Sequence, residues 1–209
     1  MATICPTVLA DTTEDYKAGL DNVAFASRIQ IDLMDGEFAP TKSVNPVQIY
    51  WNEGQQADVH MMFKRPAEHL ETLIALKPSL VILHAESEGD LANLFVELKS
   101  VDIKTGLCVL PETSIESVRS LVEQIDHLLV FGGKLGYYGG TADISQADKA
   151  MEAKAINARI EVGWDGGANA SNVAELAAAG IDVINVGSGI QKADDPQAAY
   201  EKLSALATI

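Results

Sequence analysis

Cysteine is scarce in this chain: only Cys5 and Cys108 occur, and they form no CxxC pair. Each sits in an apolar, strand-like segment, so two buried free thiols are expected rather than a disulfide. The four histidines lack zinc-finger spacing. Positive charge is also scarce. Fifteen Lys and Arg stand against 30 Asp and Glu, a formal net charge of −15. Such a chain repels polyanions and anionic membrane surfaces, which argues against nucleic acid or a membrane as partner. It does not exclude a small phosphorylated ligand, because backbone N–H groups hold phosphate without a basic surface. No apolar run reaches the roughly 18 residues of a membrane span. The segment Met1 to Pro6 lacks the basic start and apolar stretch of a secretion signal. A cytoplasmic location is the expectation. A dinucleotide fingerprint is missing too, since the first strand runs into Pro6-Thr7-Val8-Leu9-Ala10-Asp11 without a glycine.

What the sequence does have is alternation. Short β-branched runs are predicted as strands at Thr3 to Val8, Arg28 to Leu33, Asp58 to Met61, Leu80 to His84, Lys104 to Leu110, His127 to Phe131, Arg159 to Gly163, and Val183 to Val186. Between them, Thr13 to Asn22, Pro66 to Leu76, Leu91 to Lys99, Ile115 to Val122, Ala147 to Ile156 and Ser171 to Ala179 carry apolar residues at helical spacing. Pro66 suits a first helical turn, and Gly180 a helix end. The second helix, between Val44 and Asn52, is the weakest, with Pro46 inside it and Gly54 nearby. Eight strand–helix units imply a parallel α/β sheet, and a closed (β/α)8 TIM barrel fits better than an open sheet. About 26 residues per unit leave the 209 residues (1–209) as a single barrel domain.

In such barrels the polar residues at the C-terminal strand ends carry the chemistry. Period-two alternation places Gln30, Asp32 and Met34 on one side of the second strand. The third strand ends Asp58-Val59-His60-Met61-Met62, the fourth His84-Ala85-Glu86, the seventh Asp165-Gly166-Gly167, and the eighth Gly187-Ser188-Gly189. Asp35-Gly36 is a turn signal, so Asp35 reads as structural. His84 reads as a support rather than a ligand.

These strand ends, in order, resemble the ribulose-phosphate 3-epimerase family. Ile4 to Asp11 looks like its opening segment, and Asp32-Leu33-Met34-Asp35-Gly36-Glu37-Phe38-Ala39-Pro40 matches its DxMDGxFxP. Asp58 to Met62 matches DVHLM, His84 to Glu86 HAE, Asp165 to Gly167 DGG, and Gly187-Ser188 the terminal GS. The resemblance implies a barrel of the ribulose-phosphate-binding type. It implies an epimerase that interconverts ketopentose phosphates, D-ribulose 5-phosphate and D-xylulose 5-phosphate, through an enediolate. Asp32 and Asp165 carry over as the acid/base pair. The same carboxylates with His60 and Gln30 carry over as the site of one divalent metal ion (Zn, Mn, Fe or Mg). Gln30 stands where the family has a histidine, which implies either weaker metal binding than in the family or a preference for a harder ion such as Mn²⁺ or Mg²⁺. Substrate contacts carry over to Thr7, Met34, Met62, Gly139, Gly140, Gly166, Gly167, Gly187 and Ser188. The partner is a small phosphorylated sugar, and because the family forms assemblies a homo-oligomer stays open. The loop Gly132 to Gly140 departs from the family's, with Tyr137 and Tyr138 in place of Asn-Pro-Gly, and Trp164 is read as a further change at the mouth. Two other readings stand beside the epimerase: an aldol-type hexulose-phosphate synthase, and a non-catalytic sugar-phosphate binder.

Overall fold

A computed structural model describes residues 1–136 and 140–208. Eight strands, β1 (Thr3–Val8), β2 (Arg28–Met34), β3 (Gln56–Met62), β4 (Leu80–His84), β5 (Lys104–Val109), β6 (His127–Phe131), β7 (Glu161–Asp165) and β8 (Val183–Val186), pair in parallel and in sequence order into a closed barrel. The closing seam runs between β1 and β8 from Thr3↔Val183 to Pro6↔Val186. Strands covered on both sides read as near-continuous apolar runs. In β4, for example, Leu80 to His84 are all buried. The (β/α)8 class read from the sequence is therefore the observed one.

The helical layer is more uneven than the sequence pattern suggests. α1 (Thr13–Asn22) has the expected bounds, because Thr12 caps it by accepting from the Asp15 backbone N–H at 3.1 Å. The expected second helix is only a single 3₁₀ turn at Pro46–Gln48, closed by a reciprocal Asn45–Gln48 cap. The segment from Pro66 opens as a 3₁₀ turn before α2 (Leu70–Leu76). α3 (Leu91–Lys99) starts at an Asp90 cap as its pattern predicts. α4 (Arg119–Val122) and α5 (Lys149–Ile156) each follow a 3₁₀ turn. α6 (Val173–Ala178) is followed by Gly180 at φ 94°. α7 (Ser188–Gln191) and α8 (Pro196–Leu206) close the chain, α8 with Asp195 as cap and Pro196 in the first turn.

The strand boundary that matters most is that of β7. It begins at Glu161, two residues later than expected, and extends to Asp165. The Asn157 side chain donates to the Val122 and Ile125 carbonyls and holds 157–160 in a turn, which delays the strand. Asp165 thus sits on the strand itself, a rigid support, rather than on the loop after it. Trp164 alternates away from the axis. It is fully buried in the core between strands and helices, and its Nε1 donates to the Gly166 carbonyl. It is not at the mouth, which corrects the sequence reading.

The barrel's lower end is plugged by charge. Arg28 holds Glu161 through two bonds of 2.9 and 2.7 Å and Asp58 through its Nε at 2.7 Å, while His127 Nδ1 lies 2.8 Å from Glu161. Gly163 leaves room above His127, since a Cβ there would lie 2.5 Å from His127 Nε2. Among the described residues, no helix is long and apolar enough to cross a membrane.

Candidate active site

Parallel register sets the site. Pairing of β2 with β3 places Asp32 beside His60 and Met34 beside Met62. The β1–β2 pairing places Thr7 beside Gln30. Asp165 reaches the same point from β7. Gln30, fully buried, joins the two acids: its Nε2 donates to Asp32 Oδ1 at 2.9 Å and to Asp165 Oδ2 at 2.6 Å. His60 Nδ1 lies 3.0 Å from Asp32 Oδ1 and 3.5 Å from Asp165 Oδ2. The structure therefore brings together the four residues singled out from the sequence for metal and proton chemistry.

Their electrostatics follow from burial and crowding. Burial pushes the Asp32 carboxyl above the usual carboxylate range, the neighbouring Asp165 charge adds to this, and bonds from His60 and Gln30 partly offset it. Burial works against a charged His60, yet hydrogen bonds to Asp165 and Asp32 hold its proton, and it lies well above the ordinary histidine range. Behind it, His60 Nε2 meets His84 Nε2 at 2.9 Å, and Phe38 covers the His84 ring at 4.6 Å between centroids. His84 thus contacts His60 at the nitrogen opposite the one that faces the acids. Asp35 organises the turn after β2, accepting from the backbone N–H groups of Glu37, Phe38 and Lys64.

The donor set can be tested for a cation. Ligand atoms of Asp32, His60 and Asp165 lie within 4.8 Å of one another. Among the described residues, Gln30 Oε1 is buried without a partner. Turning the amide over would aim that oxygen at the same point, an arrangement that two carboxylates accept only with positive charge between them. Two carboxylates, an amide oxygen and one imidazole suit a hard or borderline divalent ion, so the residues fit.

Above the acids lies a pocket of about 640 Å³, part of it open solvent. Of the substrate contacts expected from the sequence, it is lined by Thr7, Met34, Met62, Gly166, Gly167, Gly187 and Ser188. Gln30 and His60 lie beneath its floor. Gly140 is exposed and is not in its lining, and Gly139, with Tyr137 and Tyr138, lies outside the described residues. Gly166 adopts φ 110°, and a Cβ there would sit 2.3 Å from Gly133 N, so glycine is required by the crossing of the two loops. Phe131, Lys134 and Asn185 also line the pocket and were missed from the sequence. Alternation could have found Asn185, which shares its strand face with Gly187.

The sequence matches the family described as "Ribulose-phosphate 3 epimerase family" over residues 3–191. It is 29% identical over 210 residues to the ribulose-phosphate 3-epimerase of Helicobacter pylori (strain ATCC 700392 / 26695), covering 96% of this chain and 95% of that protein. It is 26% identical over 189 residues to the ribulose-phosphate 3-epimerase of Aquifex aeolicus (strain VF5), covering 87% and 85%. In structure it is similar to 3-hexulose-6-phosphate synthase from Salmonella typhimurium, with a TM-score of 0.67 at 16% identity over 99% of this chain and 98% of that one. At that identity the likeness shows the barrel alone.

Proposed function

The chain belongs to the ribulose-phosphate 3-epimerase family, and from that premise we propose that it interconverts D-ribulose 5-phosphate and D-xylulose 5-phosphate through an enediolate, with Asp32 and Asp165 as the acid/base pair. The observation that carries this is the pair of carboxylates, one from β2 and one from β7, hydrogen-bonded to one Gln30 amide nitrogen at the floor of the pocket.

Inversion next to a carbonyl requires proton removal on one face of the carbon and return on the other. Asp32, whose carboxyl is pushed above the usual range by burial and by the Asp165 charge, starts as the acid in one direction. Asp165, on the more exposed side, starts as the base, and the roles exchange in the reverse direction. Gln30 fixes the two carboxylates relative to each other, and His60 holds the Asp32 side. With the Gln30 amide turned over, a divalent cation held by Asp32, His60, Asp165 and the Gln30 oxygen would supply positive charge against the enediolate oxygens. Met34 and Met62, 5% and 3% exposed, give the planar intermediate an apolar wall that excludes water. The Thr7 hydroxyl faces the sugar. The phosphate is seated at Gly166-Gly167 and Gly187-Ser188, where loops after the last two strands and the short α7 offer bare backbone. The two buried free thiols suit a reducing cytoplasm.

The test is solvent exchange. Incubation with D-ribulose 5-phosphate in D2O should place deuterium on the carbon next to the carbonyl. Asp165→Asn should slow that exchange by roughly 10²- to 10⁴-fold while phosphate binding persists. A wild-type protein that incorporates no deuterium would end this reading.

A further inference from the structure

Among the described residues, three buried oxygens at the site have no partner: Thr7 Oγ1, Gln30 Oε1 and Asn185 Oδ1. The sugar contact and the cation seat account for the first two. Asn185 has no such assignment. It is 3% exposed, it is flanked on β8 by Ile184 and Val186, and it lines the pocket. An amide buried without hydrogen bonds destabilises the fold. Folding therefore gives no reason for an asparagine here, whereas a polar ligand would.

Its position says which part of a ligand it meets. The β1–β8 register sets Asn185 beside Cys5, one inward position below Thr7. The β7–β8 register, Gly163↔Val183 and Trp164↔Ile184, continued by one residue, brings Asp165 level with Asn185. Two and three residues further along, past the end of β8, lie Gly187 and Ser188. Asn185 thus stands between the carboxylate pair and the phosphate seat. In a pentulose 5-phosphate one hydroxyl lies between the epimerised carbon and the phosphate-bearing carbon, the one on C4.

We propose that Asn185 is a specificity-determining residue that hydrogen-bonds the C4 hydroxyl of the substrate, an inference that rests on the epimerase reading. A primary amide both donates and accepts, as a hydroxyl does. A site built around such a bond rejects an analogue without the hydroxyl, because the amide is then left buried and unpaired.

The experiment compares wild type, Asn185→Leu and Asn185→Ser on D-ribulose 5-phosphate and its 4-deoxy analogue, reading kcat/KM by deuterium exchange and Tm by circular dichroism. Wild type should prefer the natural substrate by roughly 10- to 100-fold. Asn185→Leu should bring that preference close to unity while its Tm is unchanged or higher, since an unpartnered amide has been removed. A merely structural asparagine would instead lower Tm and leave the preference intact. Asn185→Ser, which keeps a hydroxyl, should retain part of the preference and decides the matter if the leucine variant does not fold. Full discrimination in either the leucine or, failing that, the serine variant overturns the assignment, as does a wild type that treats both compounds alike. A wild type that exchanges neither compound overturns the epimerase reading and this assignment with it.

Discussion

Glutamine at position 30 does two things that a histidine there could not do in the same way. Its nitrogen end ties Asp32 to Asp165, and its oxygen end is left over, buried and unpaired. The amide is neutral and hard in character, and turned over it would let a cation at this point meet two carboxylates, one imidazole and one amide oxygen. Replacing it with histidine adds an intermediate donor that zinc favours. Gln30→His should therefore tighten Zn²⁺ binding by roughly tenfold or more relative to Mn²⁺, measured by competition with a chromophoric chelator. Equal affinities in the two proteins would show that position 30 does not reach the ion. The amide's chemistry was legible in the sequence as soon as Gln30 was placed on the inner face of β2. Its bond to Asp165 was not, because the partner lies 135 positions away.

Among the elements, β7 shows how packing decides what local pattern leaves open. Its first residue, Glu161, is anchored by partners on β2 and β6: Arg28 grips the carboxylate from one side and His127 from the other. Gly163 is then the cost-free position above the imidazole, two residues below Asp165. Adding one methyl group there meets His127 Nε2 at 2.5 Å and Leu129 Cδ1 at 2.9 Å. His127 cannot retreat, since its other nitrogen is engaged by Glu161. Gly163→Ala should cost about 1–3 kcal/mol in urea unfolding, and combining it with His127→Ala should recover part of that loss rather than add to it. Strict additivity would mean that the ring is not what the methyl group strikes. α4 and α5 start late because a 3₁₀ turn occupies the first turn of each segment.

For the molecule as a whole, the carboxylates set the response to acid. The His84 imidazole 3.5 Å away, with bonds from Thr113 and the Leu110 N–H, outweighs burial at Glu86 and holds it down at about 2. Arg28 and His127 likewise outweigh burial at Glu161, and backbone N–H groups do so at Asp35. In each case the folded state holds the proton less tightly than the unfolded chain does. Their stabilisation is present above the unfolded value, about 4.3 for Glu and 3.9 for Asp, and is lost as pH falls below it. Asp32 and Asp58 have the opposite sign, because burial raises both, even though Arg28 sits 2.7 Å from Asp58. They favour the fold in acid and cost stability as pH rises past the unfolded value. The expected net result is unfolding as pH falls from about 4.5 towards 2, followed by circular dichroism. Glu86→Gln should lose about 1–2 kcal/mol at pH 7 and almost nothing at pH 2. A loss that is the same at both pH values would mean that its charge is not the cause.

The sequence by itself determined the eight-strand alternation, the closed barrel, and the polar residues due at the strand ends. Those depend on periodicity and on the chirality of βα units, which are local and repeat along the chain. Tertiary structure alone decided that Asp165 rides on a strand, that Trp164 is core, that Gly140 stands away from the pocket, and that Gln30 bonds Asp165. Each of these is settled by contacts between residues far apart in sequence. The energy of burying or pairing a side chain is set by what surrounds it, and no window along the chain contains those surroundings.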